Sequence, residues 1–233
     1  MSPTHFRDFI QIAGVRDLDE ARLLMECGVR YLGFPLRLPV NKEDLSEPAA
    51  AAIIRALQPP NYGVAITYQS TAEDIVEFMD YLGASLVQLH GDIASEELTK
   101  LKHLRPPLTV IKSLVIGERP FEELVDTLQR LGAFVDAWIT DTFDPATGAS
   151  GATGKLHDWQ LSRRLVELAT KPVILAGGLT PENVREAIKV VAPAGVDVHT
   201  GVEDPAGHKD PVKVRRFAAE ARAGFDLLRA SRT

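Results

Sequence analysis

Asp141 follows the apolar run AWIT (137–140), so a strand there would carry its carboxyl group to a rim with packed strand residues beneath it. A carboxyl group in that position is a candidate general acid, because partial burial disfavours its anion and raises its pKa. A turn aspartate capping the following segment is the blander role for the same residue. Two other strand ends carry glycine. In ILAGGLTPENV (174–184), Gly177 and Gly178 let backbone amides approach an anion, Thr180 suits a helix N-cap and Pro181 suits a first helical position. In VDVHTGVED (196–204), the Thr200 hydroxyl and the amides around Gly201 would complete a phosphate cradle, while His199 fits a ligand contact or a structural role equally well. His90, before Gly91 in VQLHGD, and Lys112, in TVIKSL, occupy corresponding strand ends. Lys112 would face a ligand or join a structural ion pair, and in a dry site its amine would be able to form an imine with a phosphosugar.

These residues need a scaffold that brings many strand ends to one face. Short β-rich runs alternate with longer stretches of helical periodicity, which is the pattern of consecutive βα units. The strand candidates are 9–13, 30–34, 62–66, 85–89, 108–114, 137–140, 171–176 and 196–200. Amphipathic stretches such as LDEARLLMECG, AEDIVEFMDYLG and PENVREAIKVV lie between them. Eight right-handed crossovers of this length predict a single α/β domain over 1–233, a (β/α)8 TIM barrel, with the active face at the C-terminal ends of its strands. A doubly wound open sheet competes, but no G-x-G-x-x-G follows the first strand, where the chain reads AGVRDLDEA. The segment Asp141–Asp158 reads as a long functional loop after the sixth strand. In such barrels the loops after strands seven and eight often hold a phosphate, so the two glycine turns gain weight together.

Composition narrows the partners. With a net charge of -6 and a pI near 5.6 the chain lacks a broad positive field, which argues against nucleic acid or an anionic membrane. At 45% hydrophobic residues it can bury a core without staples, and the lone Cys27 in a helical stretch suits a reducing cytoplasm. No signal-peptide order is read in MSPTHFRDF, and no run is long enough to cross a bilayer.

Taken together, VQLHGD, the DTF…GATGKLHDW region, ILAGGLTPENV and GVDVHTGVED followed by GHKDPVKV resemble the phosphoribosylanthranilate isomerase family in order and approximate spacing. The resemblance implies a barrel of tryptophan biosynthesis that performs an Amadori rearrangement on a 5-phosphoribosyl group joined to an aromatic amine. It implies no metal or organic cofactor, a small phosphorylated sugar as ligand, and a monomer or homodimer. Asp141 matches the family's acid, and Gly177, Gly178, Thr200 and Gly201 match its phosphate cradle. The departures fall on the other side of the substrate. Where the family's first strand ends K-I-C-G, with cysteine as general base, this chain has Gln11, Ile12, Ala13 and Gly14. A methyl group accepts no proton, so Ala13 marks a missing base and His90 or His199 becomes its candidate replacement. The family's anthranilate-binding arginine falls in a loop that reads FPLRLPVNKEDL here, with Arg37 and Lys42 near. Two other functions compete: a phosphosugar lyase or aldolase working through Lys112, and a non-catalytic phosphosugar binder.

Overall fold

Strand residues here alternate between two buried surroundings, and a sheet buried on both faces must close on itself beneath a layer of helices. The computed structural model describes residues 6–39, 43–144, 149–150 and 158–231. Its strands are β1 (Phe9–Ala13), β2 (Tyr31–Pro35), β3 (Tyr62–Thr67), β4 (Leu86–Leu89), β5 (Thr109–Ile116), β6 (Ala137–Asp144), β7 (Ala149–Ser150), β8 (Val173–Leu175) and β9 (Gly195–Val198). All but β7 pair in parallel, from β1 through β6 to β8 and β9, and β9 returns to β1. The expected (β/α)8 barrel is thus closed.

Phe9, Val64, Ile66, Leu86, Ile111, Ile139 and Ile174 fill the barrel, while their neighbours Ile10, Ile12, Leu32, Phe34, Val87, Val110, Trp138 and Val196 pack outward under the helices. Stacked rings close the N-terminal end, with Phe9 and Tyr31 centroids 3.9 Å apart and Tyr62 5.8 Å beyond. The helices are α1 (Leu18–Glu26), α2 (Glu47–Ala56), α3 (Ala72–Leu82), α4 (Ser95–Leu104), α5 (Phe121–Leu131), α6 (Trp159–Leu168), α7 (Val184–Val191) and α8 (Pro211–Ala230). Local chemistry starts several of them: Asp17 accepts from the Glu20 amide at 2.8 Å, Asp158 from Gln160 at 2.8 Å, and Asp210 from Val212 and Lys213 at 2.8 and 3.1 Å. None of the described helices is long and apolar enough to cross a membrane.

Three of the boundaries that differ from the sequence reading bear on the rim. β6 continues through Asp141 to Asp144, because β5 is equally long and pairs Val115 with Asp141 and Ile116 with Thr142 above the rim. Asp141 is therefore a strand residue, and the segment after it begins as a hairpin in which Phe143 and Asp144 pair with Ser150 and Ala149. Residues 145–148 and 151–157, including Gly151 to Gly154, lie outside the described residues, as does Lys42. Helix α7 starts at Val184, not Pro181: the Thr180 amide donates to Asn183 Oδ1 at 2.8 Å and the Asn183 amide donates back to the Thr180 carbonyl at 3.2 Å, which fixes a turn first. β9 ends at Val198, and Thr200–Val202 form one 3-10 turn.

That turn is held against the β8 loop. A Cβ added to Gly201 would run into the Leu179 carbonyl oxygen, so Gly201 is fixed by close backbone approach. Gly201→Ala should cost about 1–3 kcal/mol, the usual penalty of overpacking, read as a lower denaturant midpoint at unchanged slope.

Candidate active site

The parity of each strand decides what reaches the mouth. The inward positions of β6, β8 and β9 end in Asp141, Ala176 and Asp197, and these line one cavity of about 250 Å³ together with Gly177, Gly178, Leu179, Thr180, His199, Thr200 and Gly201. Gly177 and Gly178 take φ of 104° and 64°, the left-handed region open to glycine, and this turns their amides out of the strand direction. Among the described residues neither amide donates to another backbone carbonyl. Thr200 and Gly201 open a helical turn, whose first amides have no acceptor within it. Asn183 Nδ2 donates to the Gly178 carbonyl at 3.0 Å and holds the loop from behind. Two sets of free donors thus converge on one volume, the geometry of an anion cradle.

On β6, the strand beside β8, Asp141 Oδ1 accepts from the Thr142 amide at 2.8 Å, and Oδ2 lies 3.9 Å from His90 Nδ1. Only 13% of the Asp141 side chain is exposed, and burial pushes its carboxyl above the usual carboxylate range although His90 and the Thr142 amide act against the rise. His90 Nδ1 is 2.9 Å from Ser113 Oγ, and the ring meets Tyr68 edge-on at 4.8 Å. The acid and its histidine neighbour are therefore held by strands on both sides, with little freedom to rotate.

Ala13 ends β1 facing inward and is 4% exposed; across the register from it stands Gly33, where an added Cβ would fall 2.9 Å from both Ala13 Cα and Cβ. Among the described residues, these two inward strand positions offer a methyl group and a hydrogen. His199 covers the next residue, since any Cβ on Gly14 would strike its imidazole. Its Nε2 points to Glu203 Oε1 at 3.3 Å and Asp44 Oδ2 at 3.7 Å, while buried Lys209 donates to the His199 carbonyl at 3.2 Å and to Glu203 at 2.7 Å. Burial, with the Lys209 ammonium nearby, pushes the imidazole below the usual histidine range and keeps it neutral. His199 thus lines the cavity while its ring is braced by the network behind it.

Two residues expected at the ligand are placed elsewhere. Lys112 has the opposite parity to Ile111 and Ser113, so it leaves the barrel; its Nζ donates to the Ser113 carbonyl at 2.8 Å and lines a separate cavity of about 120 Å³ beside Asp92 and Arg119. Burial pushes its amine down to about 8, but it faces neither Asp141 nor the cradle. Arg37 sits at φ 54° with its guanidinium on Glu47 at 2.8 and 3.1 Å and over the Phe78 ring at 4.0 Å, turned onto the outer layer by the acid of α2.

The structure also gives positions in the site to residues that the sequence reading assigned no role. One layer below the mouth, Gln11 Nε2 donates to Gln88 Oε1 at 3.0 Å, and Gln11 stands in register with Asp197. Asp197 is 9% exposed, and its Oδ1 is buried without a hydrogen-bond partner among the described residues. The signal was the two-residue spacing between Asp197 and His199, which puts both on the same face of the strand.

Comparisons with known proteins show which family the chain is similar to. The family described as N-(5'phosphoribosyl)anthranilate (PRA) isomerase matches residues 10–220. The curated N-(5'-phosphoribosyl)anthranilate isomerase 2 of Methanosarcina mazei is 36% identical over 222 residues, which cover 94% of this chain and 96% of that protein. The crystal structure of phosphoribosyl anthranilate isomerase from Thermotoga maritima superposes with a TM-score of 0.77 at 30% identity, covering 93% of this chain and 99% of that one. Another solved isomerase, with a TM-score of 0.75 at 28% identity and the same coverage, is in complex with reduced 1-(o-carboxyphenylamino)-1-deoxyribulose 5-phosphate.

Proposed function

Because the chain belongs to the N-(5'-phosphoribosyl)anthranilate isomerase family, we propose that it converts N-(5-phosphoribosyl)anthranilate into the corresponding 1-amino-1-deoxyribulose phosphate, as a step of tryptophan biosynthesis. The observation that carries this reading is that a buried carboxyl group, raised by burial, and a two-loop anion cradle line one cavity of about 250 Å³. The amides of Gly177, Gly178, Thr200 and Gly201 bind the phosphate. The sugar then spans the mouth towards β6, where Asp141 reaches its ring oxygen.

Asp141 acts as the general acid. Its proton passes to the ring oxygen as the bond from that oxygen to the first carbon breaks and the nitrogen lone pair forms the iminium. Loss of a proton from the second carbon gives the enolamine, and protonation of the first carbon with loss of the 2-hydroxyl proton gives the ketone. No net proton is gained or lost. His90 steadies the Asp141 anion produced in the first step. An imine-forming lyase through Lys112 is incompatible with the outward parity of that residue.

The occupancy of the cradle is read by titration. Inorganic phosphate should shift the amide resonances of Gly177, Gly178, Thr200 and Gly201, and the reduced carboxyphenylamino deoxyribulose phosphate should shift these together with Ala13, Asp141 and Asp197. Shifts confined to other residues would place the ligand elsewhere.

A further inference from the structure

We propose that Asp197 is the proton acceptor of the isomerisation in this chain, taking the proton of the sugar's second carbon in place of the base that β1 lacks. This rests on the isomerase reading above. Three observations support it, all of them geometric. Asp197 lines the same cavity as Asp141 and the glycine cradle, so a sugar held by its phosphate lies against both carboxyl groups. Its Oδ1 is buried and has no hydrogen-bond partner among the described residues, although a buried carboxylate oxygen ordinarily finds a donor. Asp197 also belongs to the strand beside β1, in register with Gln11, so its carboxyl group is one inward step from Ala13, where the inward strand positions of β1 and β2 supply a methyl group and a hydrogen and no proton acceptor.

The electrostatics agree with the geometry. Burial, reinforced by the Asp141 carboxyl, pushes Asp197 up to about 7, with the Gln11 amide and the Lys209 ammonium acting against the rise. The groups around it are Asp141 from β6, Gln11 from β1, His199 on its own strand end and Lys209 beyond it; His90 stands next to Asp141. Burial raises both carboxyl groups, and Asp141 raises Asp197 further, the kind of arrangement in which one carboxyl group serves as acid and the other as base. The two histidines fit the base less well. His90 lies on the acid's side, and the His199 ring is aimed at Glu203 and Asp44.

In the step itself the Asp197 carboxylate forms an O–H bond with the proton of the second carbon. The freed C–H pair becomes the double bond between the first and second carbons, and the iminium π pair returns to nitrogen. Protonation of the first carbon and loss of the 2-hydroxyl proton then restore both carboxyl groups.

The test is Asp197→Asn in the full chain, assayed on N-(5-phosphoribosyl)anthranilate with protium or deuterium at the second carbon. The variant should lose about 10²- to 10⁴-fold in kcat, the usual contribution of a positioned base, while keeping phosphate binding and its circular dichroism. Its residual rate should show a full primary isotope effect. Adding Ala13→Cys in the Asn background should recover about tenfold or more by supplying a second base on the neighbouring strand. The parent's kcat/KM should fall as pH drops below about 7, a limb that the variant should lack. A variant with kcat within about threefold of the parent would overturn the assignment while leaving the isomerase reading intact. Loss of phosphate binding together with turnover, without recovery by Ala13→Cys, would also overturn it and reduce Asp197 to a structural role. If Asp197→Asn does not fold, Asp197→Ala with added formate is the second variant, and formate should restore turnover. A parent chain with no turnover at all would overturn the isomerase reading first.

Discussion

Asp141→Asn is expected to lower kcat by about 10²- to 10⁴-fold while leaving affinity for phosphate and for the reduced product analogue within about tenfold. The amide keeps the shape of the carboxyl group and can still accept from the Thr142 amide, so the change removes the transferable proton and little else. The cradle is built from other loops, with Gly177 and Gly178 after β8 and Thr200 and Gly201 after β9, and none of its donors depends on Asp141. Steady-state turnover beside a phosphate titration separates the two effects. A variant that turns over like the parent would leave Asp141 as a strand-end cap.

The second large effect is on stability. The Asp197 carboxyl is pushed up to about 7 in the folded chain, whereas an aspartate in an unfolded chain titrates near 3.9. Between those values the folded state holds a proton that the unfolded state has released, so folding stability falls as pH rises from about 4 to about 7. Three pH units at about 1.4 kcal/mol each place an upper limit of about 4 kcal/mol on the effect. Other groups also titrate in this range. Asp141 and Asp44 are raised by burial and act in the same direction, while the lowered His199 acts in the opposite one. The difference between the parent and Asp197→Asn cancels much of that background. Urea unfolding of both at pH 4 and pH 8 should show the variant gaining up to about 4 kcal/mol relative to the parent at the higher pH. A difference that does not change with pH would mean that Asp197 is already solvated as an anion. A residue that weakens the fold at neutral pH is better explained by a role in chemistry than by one in packing.

Much of this was legible because barrel strands are short and bounded by turn chemistry. β1 falls on 9–13 as read, and Asp141 and the two glycine turns come to one rim as their spacing required. What stayed illegible is parity. In a parallel barrel both faces of a strand are buried, so TVIKSL gives no sign of whether Lys112 or its neighbours Ile111 and Ser113 point inward. The same ambiguity hid Asp197, whose importance depends on its register with Gln11 and on Asp141 two strands away along the sheet. Arg37 was misplaced for a different reason: Glu47, ten residues on, captures the guanidinium, and a propensity reading of FPLRLPVNKEDL contains no such contact.

The central claim is that this chain catalyses the rearrangement although its first strand ends in alanine. Conversion of N-(5-phosphoribosyl)anthranilate by the purified chain, followed at pH 8 by appearance of the ketose phosphate, tests it most directly. Turnover is expected, and it should be lost on Asp141→Asn. Tight binding of the substrate with no ketose formed above the uncatalysed rate would contradict it and leave a phosphosugar binder in an isomerase fold.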